Sequence, residues 1–140
     1  IIMPANTAPI FSSLGDIEWG ATALTTQNTA KDGTGTVLNV FTADATNGGF
    51  VQRIRFRAAG TNIATVARVF INNGSANSTP ANNILYDEIT LAATTLSEVA
   101  ALAVYELPLN FALPPGYKLN VTLGTTVAAG YYVSVIGGKY

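Results

Sequence analysis

Residues Phe50 to Ala58, FVQRIRFRA, alternate more regularly than any other stretch of the chain. Phe50, Ile54, Phe56 and Ala58 fall on one side of an extended backbone, and Val51, Arg53, Arg55 and Arg57 fall on the other. The stretch therefore reads as a half-buried β-strand that carries a stripe of arginines. A second strand-like run, Ala64 to Asn72 (ATVARVFIN), follows the turn-prone Gly60-Thr61-Asn62, and the spacing predicts that the two runs pair antiparallel. The rest of the chain is then further strands laid beside or across this pair.

Those further strands are read at Ile17–Leu24, Thr36–Ala43, Ile84–Leu91, Val104–Leu113, Tyr117–Leu123 and Tyr131–Ile136. Turn signals separate them: Lys31-Asp32-Gly33, the Asn-Gly within Asp44–Gly49, the polar loop Asn73–Asn83, Pro114-Pro115-Gly116, and Gly124–Gly130. In Val104–Leu113 the residues Tyr105, Leu107, Leu109, Phe111 and Leu113 share one face, and Pro108, which has no N–H to give a ladder, predicts a sheet edge. Ala92–Ala103 predicts a loop with one helical turn, capped by Thr95 or Ser97. About eight short strands with frequent turns predict an all-β, antiparallel domain: a sandwich, a jelly roll or a barrel. Residues 1–16, with two prolines and no sustained period, read as an extended N-terminal arm ahead of one domain over 17–140, and Gly137–Tyr140 reads as a short tail.

The function classes are narrowed mainly by what is missing. The chain has no cysteine and no histidine, which removes disulfides, Cys/His zinc sites, cysteine nucleophiles and histidine general bases. Asp87 and Glu88 are adjacent and so point to opposite faces of a strand, which rules them out as an acid/base pair on one substrate. No calcium-loop spacing surrounds Asp44 and Asn47. No catalytic residue, metal or cofactor is therefore assigned. A net charge of −1 offers no basic field for direct nucleic-acid binding, and no run reaches the ~20 apolar residues of a membrane helix. The N-terminus lacks the basic and apolar regions of a signal peptide, so export by that route is not expected and the Asn77-Ser78-Thr79 acceptor triplet is read as chance. Met3 marks a candidate translation start. Only 11% of residues are charged while 49% are hydrophobic, against roughly 25% charged in an ordinary domain. Two causes fit such a surface: neutral Thr, Asn and Ser side chains, or large areas covered by partners.

Three stretches, PANTAPIF (Pro4–Phe11), the block GTGTVLNVFTADATNGGFVQRIRFRAAGT (Gly33–Thr61) and LNFALPPGYKLNVTL (Leu109–Leu123), resemble the small jelly-roll cement, or head-decoration, proteins of tailed phages and prophages. The resemblance spans most of the chain and is carried by strand-and-turn patterns rather than by a catalytic signature. It implies a jelly-roll β-sandwich that binds the outside of an expanded icosahedral head. There it would bridge neighbouring copies of the major capsid protein and hold the shell against the pressure of packaged DNA. It further implies a small symmetric oligomer, a homodimer in preference to a trimer, located on the virion surface.

Six residues are the candidate contacts. Ile10 and Phe11 are apolar residues in an otherwise polar arm, placed to lie on a neighbour. Trp19, the only tryptophan, reads as a core or interface residue. Arg53, Arg55 and Arg57 read either as a solvated face paired with acidic groups, or with Arg68 nearby, or as a docking face for acidic partner residues. The alternative function is a receptor- or carbohydrate-binding module of a tail or head fibre, with Trp19 stacking on sugar.

Overall fold

A computed structural model describes residues 12–140, and within them the chain forms eight strands: β1 (Leu14–Trp19), β2 (Leu38–Thr42), β3 (Gly49–Ala58), β4 (Thr65–Asn72), β5 (Asn83–Leu91), β6 (Val104–Leu113), β7 (Lys118–Leu123) and β8 (Tyr131–Lys139). They build two four-stranded antiparallel sheets, β1-β8-β3-β6 (sheet 1) and β2-β7-β4-β5 (sheet 2), so the molecule is an all-β sandwich. Every connection except β4–β5 passes from one sheet to the other. The only helix among the described residues is one 3₁₀ turn, Pro80–Asn82.

The core is filled from both inner faces by alternation: Ile54, Phe56 and Ala58 from β3, Ala67 and Val69 from β4, Leu119, Val121 and Leu123 from β7, and Val133 and Val135 from β8. Each fully buried Val, Leu, Ile or Phe side chain among these contributes about 1.5–3 kcal/mol, which explains how a chain without disulfides holds two sheets together. The two open seams of the sandwich are closed individually. Tyr86 of β5 meets Phe111 of β6 edge to face, ring centroids 4.9 Å apart. At the other seam, the backbone N–H of Thr42 on β2 donates to Glu18 Oε1 on β1 at 3.0 Å.

The structure corrects several expectations. β3 and β4 do not pair; they lie in opposite sheets, because the segment between them is a crossing corner and not a hairpin turn. The reason is Asn62, which is buried at that corner and carries most of its side-chain bonds to the distant 129–130 segment. Its Nδ2 donates to the Gly130 and Gly60 carbonyls, and its Oδ1 accepts from the N–H groups of Gly130 and Ala129. Within β3 the alternation breaks between Val51 and Arg53, where the register shifts against both neighbours, so Val51 is buried and Phe50 turns to the other side. Arg68 accompanies β4 into sheet 2, where it pairs with Glu88 at 3.1 Å rather than standing near the arginine stripe.

β1 begins at Leu14, inside the stretch read as arm, and ends at Trp19 rather than Leu24; Gly20, just beyond it, lies so close to Leu38 that a side chain there would strike it. The predicted helical turn in 92–103 is absent; the Ser97 hydroxyl instead accepts from the Val99 N–H in a bend. The tail residues Gly137 and Gly138 belong to β8, and both must lack a side chain: one at Gly137 would strike the Phe50 carbonyl at the shift in β3, one at Gly138 would strike Ser12. Pro108 stands on β6, at the edge of sheet 1.

The connection from β1 to β2 has a structural role of its own. It bonds to the Leu123 carbonyl through Asn28 N–H, crosses the outward side of sheet 2, and reaches the β4–β5 end, where Asn83 Nδ2 donates to the Asp32 carbonyl and Asn77 Nδ2 to the Gly33 and Gly35 carbonyls. Asn28 Nδ2, donating to the Thr34 and Thr36 carbonyls at 2.8 Å each, ties the strap to itself. Beneath it Phe70 is 0% exposed although it stands outside the inter-sheet core, and the outward-facing Thr122 and Asn120 are 1% and 4% exposed. The chain itself thus covers much of the outer face of sheet 2.

Candidate functional site

Among the described residues sheet 1 has no such cover. Its outward side is written in rows set by the strand register: Ile17, Ile136, Arg53 and Pro108 in one; Trp19, Ser134, Arg55 and Glu106 in the next; Tyr132, Arg57 and Val104 in the third. Neighbouring strands are about 4.8 Å apart, so Trp19 and Arg55, two strands from each other, stand roughly 10 Å apart on one surface. Trp19 is 67% exposed, Tyr132 60% and Ile17 58%. Large apolar groups this bare at adjacent positions make the outward side of sheet 1 a candidate contact surface.

The arginines flank this apolar group. Glu106 is shared between Arg53 Nε at 3.6 Å and Arg55 at 3.8 Å, with all three side chains partly in solvent. Such exposed, long pairs contribute at most about 1 kcal/mol. Neither is a hydrogen bond, and Arg53 Nε, although shielded from solvent, has no acceptor among the described residues. Arg57 forms no ion pair among the described residues. Among the described residues the face therefore keeps an excess of positive charge and guanidinium donors without committed acceptors.

Of the sequence candidates, Trp19 and the three arginines come together on this one face. Ile10 and Phe11 lie outside the described residues; Ser12, the first described residue, sits over Gly138 at one end of the same face. Reasoning from sequence missed Ile17, Tyr132 and Ile136 as members of the face and Glu106 as the partner of two arginines. The alternation of YYVSVI does place Tyr132 opposite the core residue Tyr131, but nothing local to the sequence brings β1 and β8 beside β3.

The edge that carries Trp19 is held by an ionisable group. Glu18 points to the seam, where burial, together with a hydrogen bond and the charge of Asp16 two residues away, pushes its carboxyl up to about 7; the Thr42 N–H and Lys139 act in the opposite direction. The folded state therefore binds a proton that the unfolded chain has released. The stabilisation is full below the ordinary value of 4.5 and is lost as pH rises through about 7. At this partly solvated edge the effect is reduced to about 1 kcal/mol. Urea unfolding of the native chain and Glu18→Gln at pH 5 and pH 8 is expected to show a loss of stability with pH in the former and a flatter response in the latter. Equal pH dependence in both would remove Glu18 as its source.

Among the described residues no three acidic groups gather to hold a metal, and no helix is long and apolar enough to cross a membrane. No protein-family model, curated protein or solved structure matches this chain.

Proposed function

We propose that the chain is a virion structural protein that decorates and cements the outer surface of an expanded tailed-phage head, bridging neighbouring major capsid protein subunits and acting as a homodimer. The observation that carries this reading is the asymmetry of the two outer faces. Sheet 2 is covered by its own strap, while sheet 1 leaves Trp19, Tyr132 and Ile17 bare beside arginines with uncommitted donors. Docking requires roughly 800 Å² on each partner, and one face of a four-stranded sheet supplies an area of that order. Two further points support it. Eight strands in two four-stranded sheets, with nearly every connection crossing between them, fit the jelly roll that the sequence resemblance implies. Ser12, the first described residue, stands at one end of the same face, and this reading assigns Ile10 and Phe11 to a further contact with a neighbour.

The deciding measurement is the number of copies of this chain per purified particle, by quantitative mass spectrometry against the major capsid protein. A ratio near one, or a simple fraction of it, is expected; a handful of copies would indicate a fibre component, and none would end the reading. A chain lacking residues 1–11 is expected to unfold at the same temperature as the full chain but to need at least several-fold higher concentration to saturate stripped heads. Saturation at an unchanged concentration would show that the arm does not bind.

A further inference from the structure

We propose that a polar pocket on the outward side of sheet 2 binds a single carboxylate-bearing sugar residue, such as one uronic acid unit of an acidic polysaccharide. The pocket, about 240 Å³, lies where the β4–β5 loop arches past β2 and β7, and its polar lining is Asn39, Asn72, Ser75, Asn77, Lys118 and Asn120. It is smaller than the ~300–1,000 Å³ of drug-sized sites, which suits one ring. Val37 and Ala76 are the apolar side chains among its lining.

The hydrogen-bond network decides what the pocket presents. Asn39 Nδ2 donates to the carbonyls of Phe41 and Leu119 and to Asn120 Oδ1, the last at 3.1 Å. That commits the oxygen of Asn120 and fixes its amide orientation, leaving Nδ2 of a residue only 4% exposed without an acceptor among the described residues, on the pocket wall. Asn72 is fully engaged, donating to Asn83 Oδ1 and accepting from the Gly74 N–H, both at 2.7 Å. Asn77 donates to the Gly33 and Gly35 carbonyls, which leaves its Oδ1 free to accept. Lys118 forms no ion pair among the described residues, and no carboxylate lines the pocket.

The open functions are therefore an ammonium and an amide donor side by side, with a hydroxyl at Ser75 and an amide acceptor at Asn77. A carboxylate satisfies the first two, and sugar hydroxyls, which donate and accept, satisfy the others. The lining has no arginine to grip a phosphate bidentately; an ammonium also binds phosphate, so inorganic phosphate is the competing anion in the test. The donors are preorganised, because Asn120 sits on β7 between β2 and β4 and the loop is held by its asparagines. With no aromatic side chain in the lining, affinity for one unit should be millimolar, and many copies on one surface would multiply it. The pocket lies on the sheet opposite the docking face, yet its chemistry does not depend on what sheet 1 binds.

The test is an amide NMR titration of the isolated full chain with glucuronate, glucose, acetate and inorganic phosphate as probes. Glucuronate is expected to shift the Asn120 side-chain amide and the backbone amides of Lys118 and Gly74–Asn77 with a millimolar Kd, at least ten-fold tighter than glucose or acetate. Lys118→Gln is expected to weaken it ten-fold or more. Ser75→Ala, at an exposed loop position, is expected to weaken it a few-fold with folding unchanged, and it keeps the test decisive if Lys118→Gln perturbs the strand. Absence of shifts, equal response to glucose, acetate or phosphate matching glucuronate, or both variants binding as the native chain does would each overturn the proposal.

Discussion

Asn62→Ala is expected to lower the melting temperature by about 10 °C, more than any exposed substitution on either sheet. Asn62 is 3% exposed and ties three separate segments together. Its side chain bonds to Gly60 and Gly130 carbonyls and to the Ala129 and Gly130 N–H groups, while its backbone N–H and carbonyl bridge to Thr94. Alanine keeps the backbone bridge but leaves buried donors and acceptors without partners. Each such orphan costs about 1–3 kcal/mol, and about 3–4 kcal/mol in total at roughly 3 °C per kcal/mol gives the expected shift. Asn62→Asp separates the donor half from the acceptor half. Its carboxylate still accepts from Ala129 and Gly130 but faces two carbonyl oxygens, so it should be as destabilised as alanine at pH 8 and partly recovered at pH 4, where a protonated carboxyl can donate. Calorimetry at both pH values measures this; a loss under 3 °C for Asn62→Ala would show that the corner is held by its backbone alone.

The same residue shows where the sequence stops being legible. Gly60-Thr61-Asn62 has the composition of a hairpin turn, and local chemistry supports that reading. What decides otherwise is a partner at residues 129–130, some seventy positions away, which spacing cannot reveal. By contrast, the inward set of β7, Leu119, Val121 and Leu123, and the edge position of Pro108 follow from alternation and from the missing N–H, and both are local properties. The arginines' face was legible for the same reason. Phe50 was misplaced because the register shift near Gln52 answers to glycines on β8, another distant cause.

The low charge of the surface was also only half legible, since two explanations fitted it equally. The structure gives each a place. Neutral amides do the work of charged groups at the covered side, where Asn28, Asn77 and Asn83 hold the strap against sheet 2. Bare apolar groups account for the open side. An asparagine-rich loop that looks like a solvated insertion is thus the element that covers much of one face, while the described residues leave the other bare.

That division leads to the second large effect: Trp19→Ala should weaken attachment to heads by about 30-fold or more while leaving the melting temperature within about 1 °C. A tryptophan central to an interface commonly contributes 2 kcal/mol or more, whereas an exposed side chain away from the core changes stability by no more than about 0.5 kcal/mol. Trp19 meets the second condition at 67% exposure, and its row and the adjacent ones place Ile17, Tyr132 and the arginines around it. Replacing Arg53, Arg55 and Arg57 together by glutamine should act differently. Rim charges govern encounter more than residence, so the triple variant should bind more slowly at low salt and lose most of the salt dependence that the native chain shows. Binding to stripped heads at several salt concentrations distinguishes the two roles. If Trp19→Ala binds as the native chain does and the arginine variant keeps its salt dependence, the open face of sheet 1 is not the surface that docks.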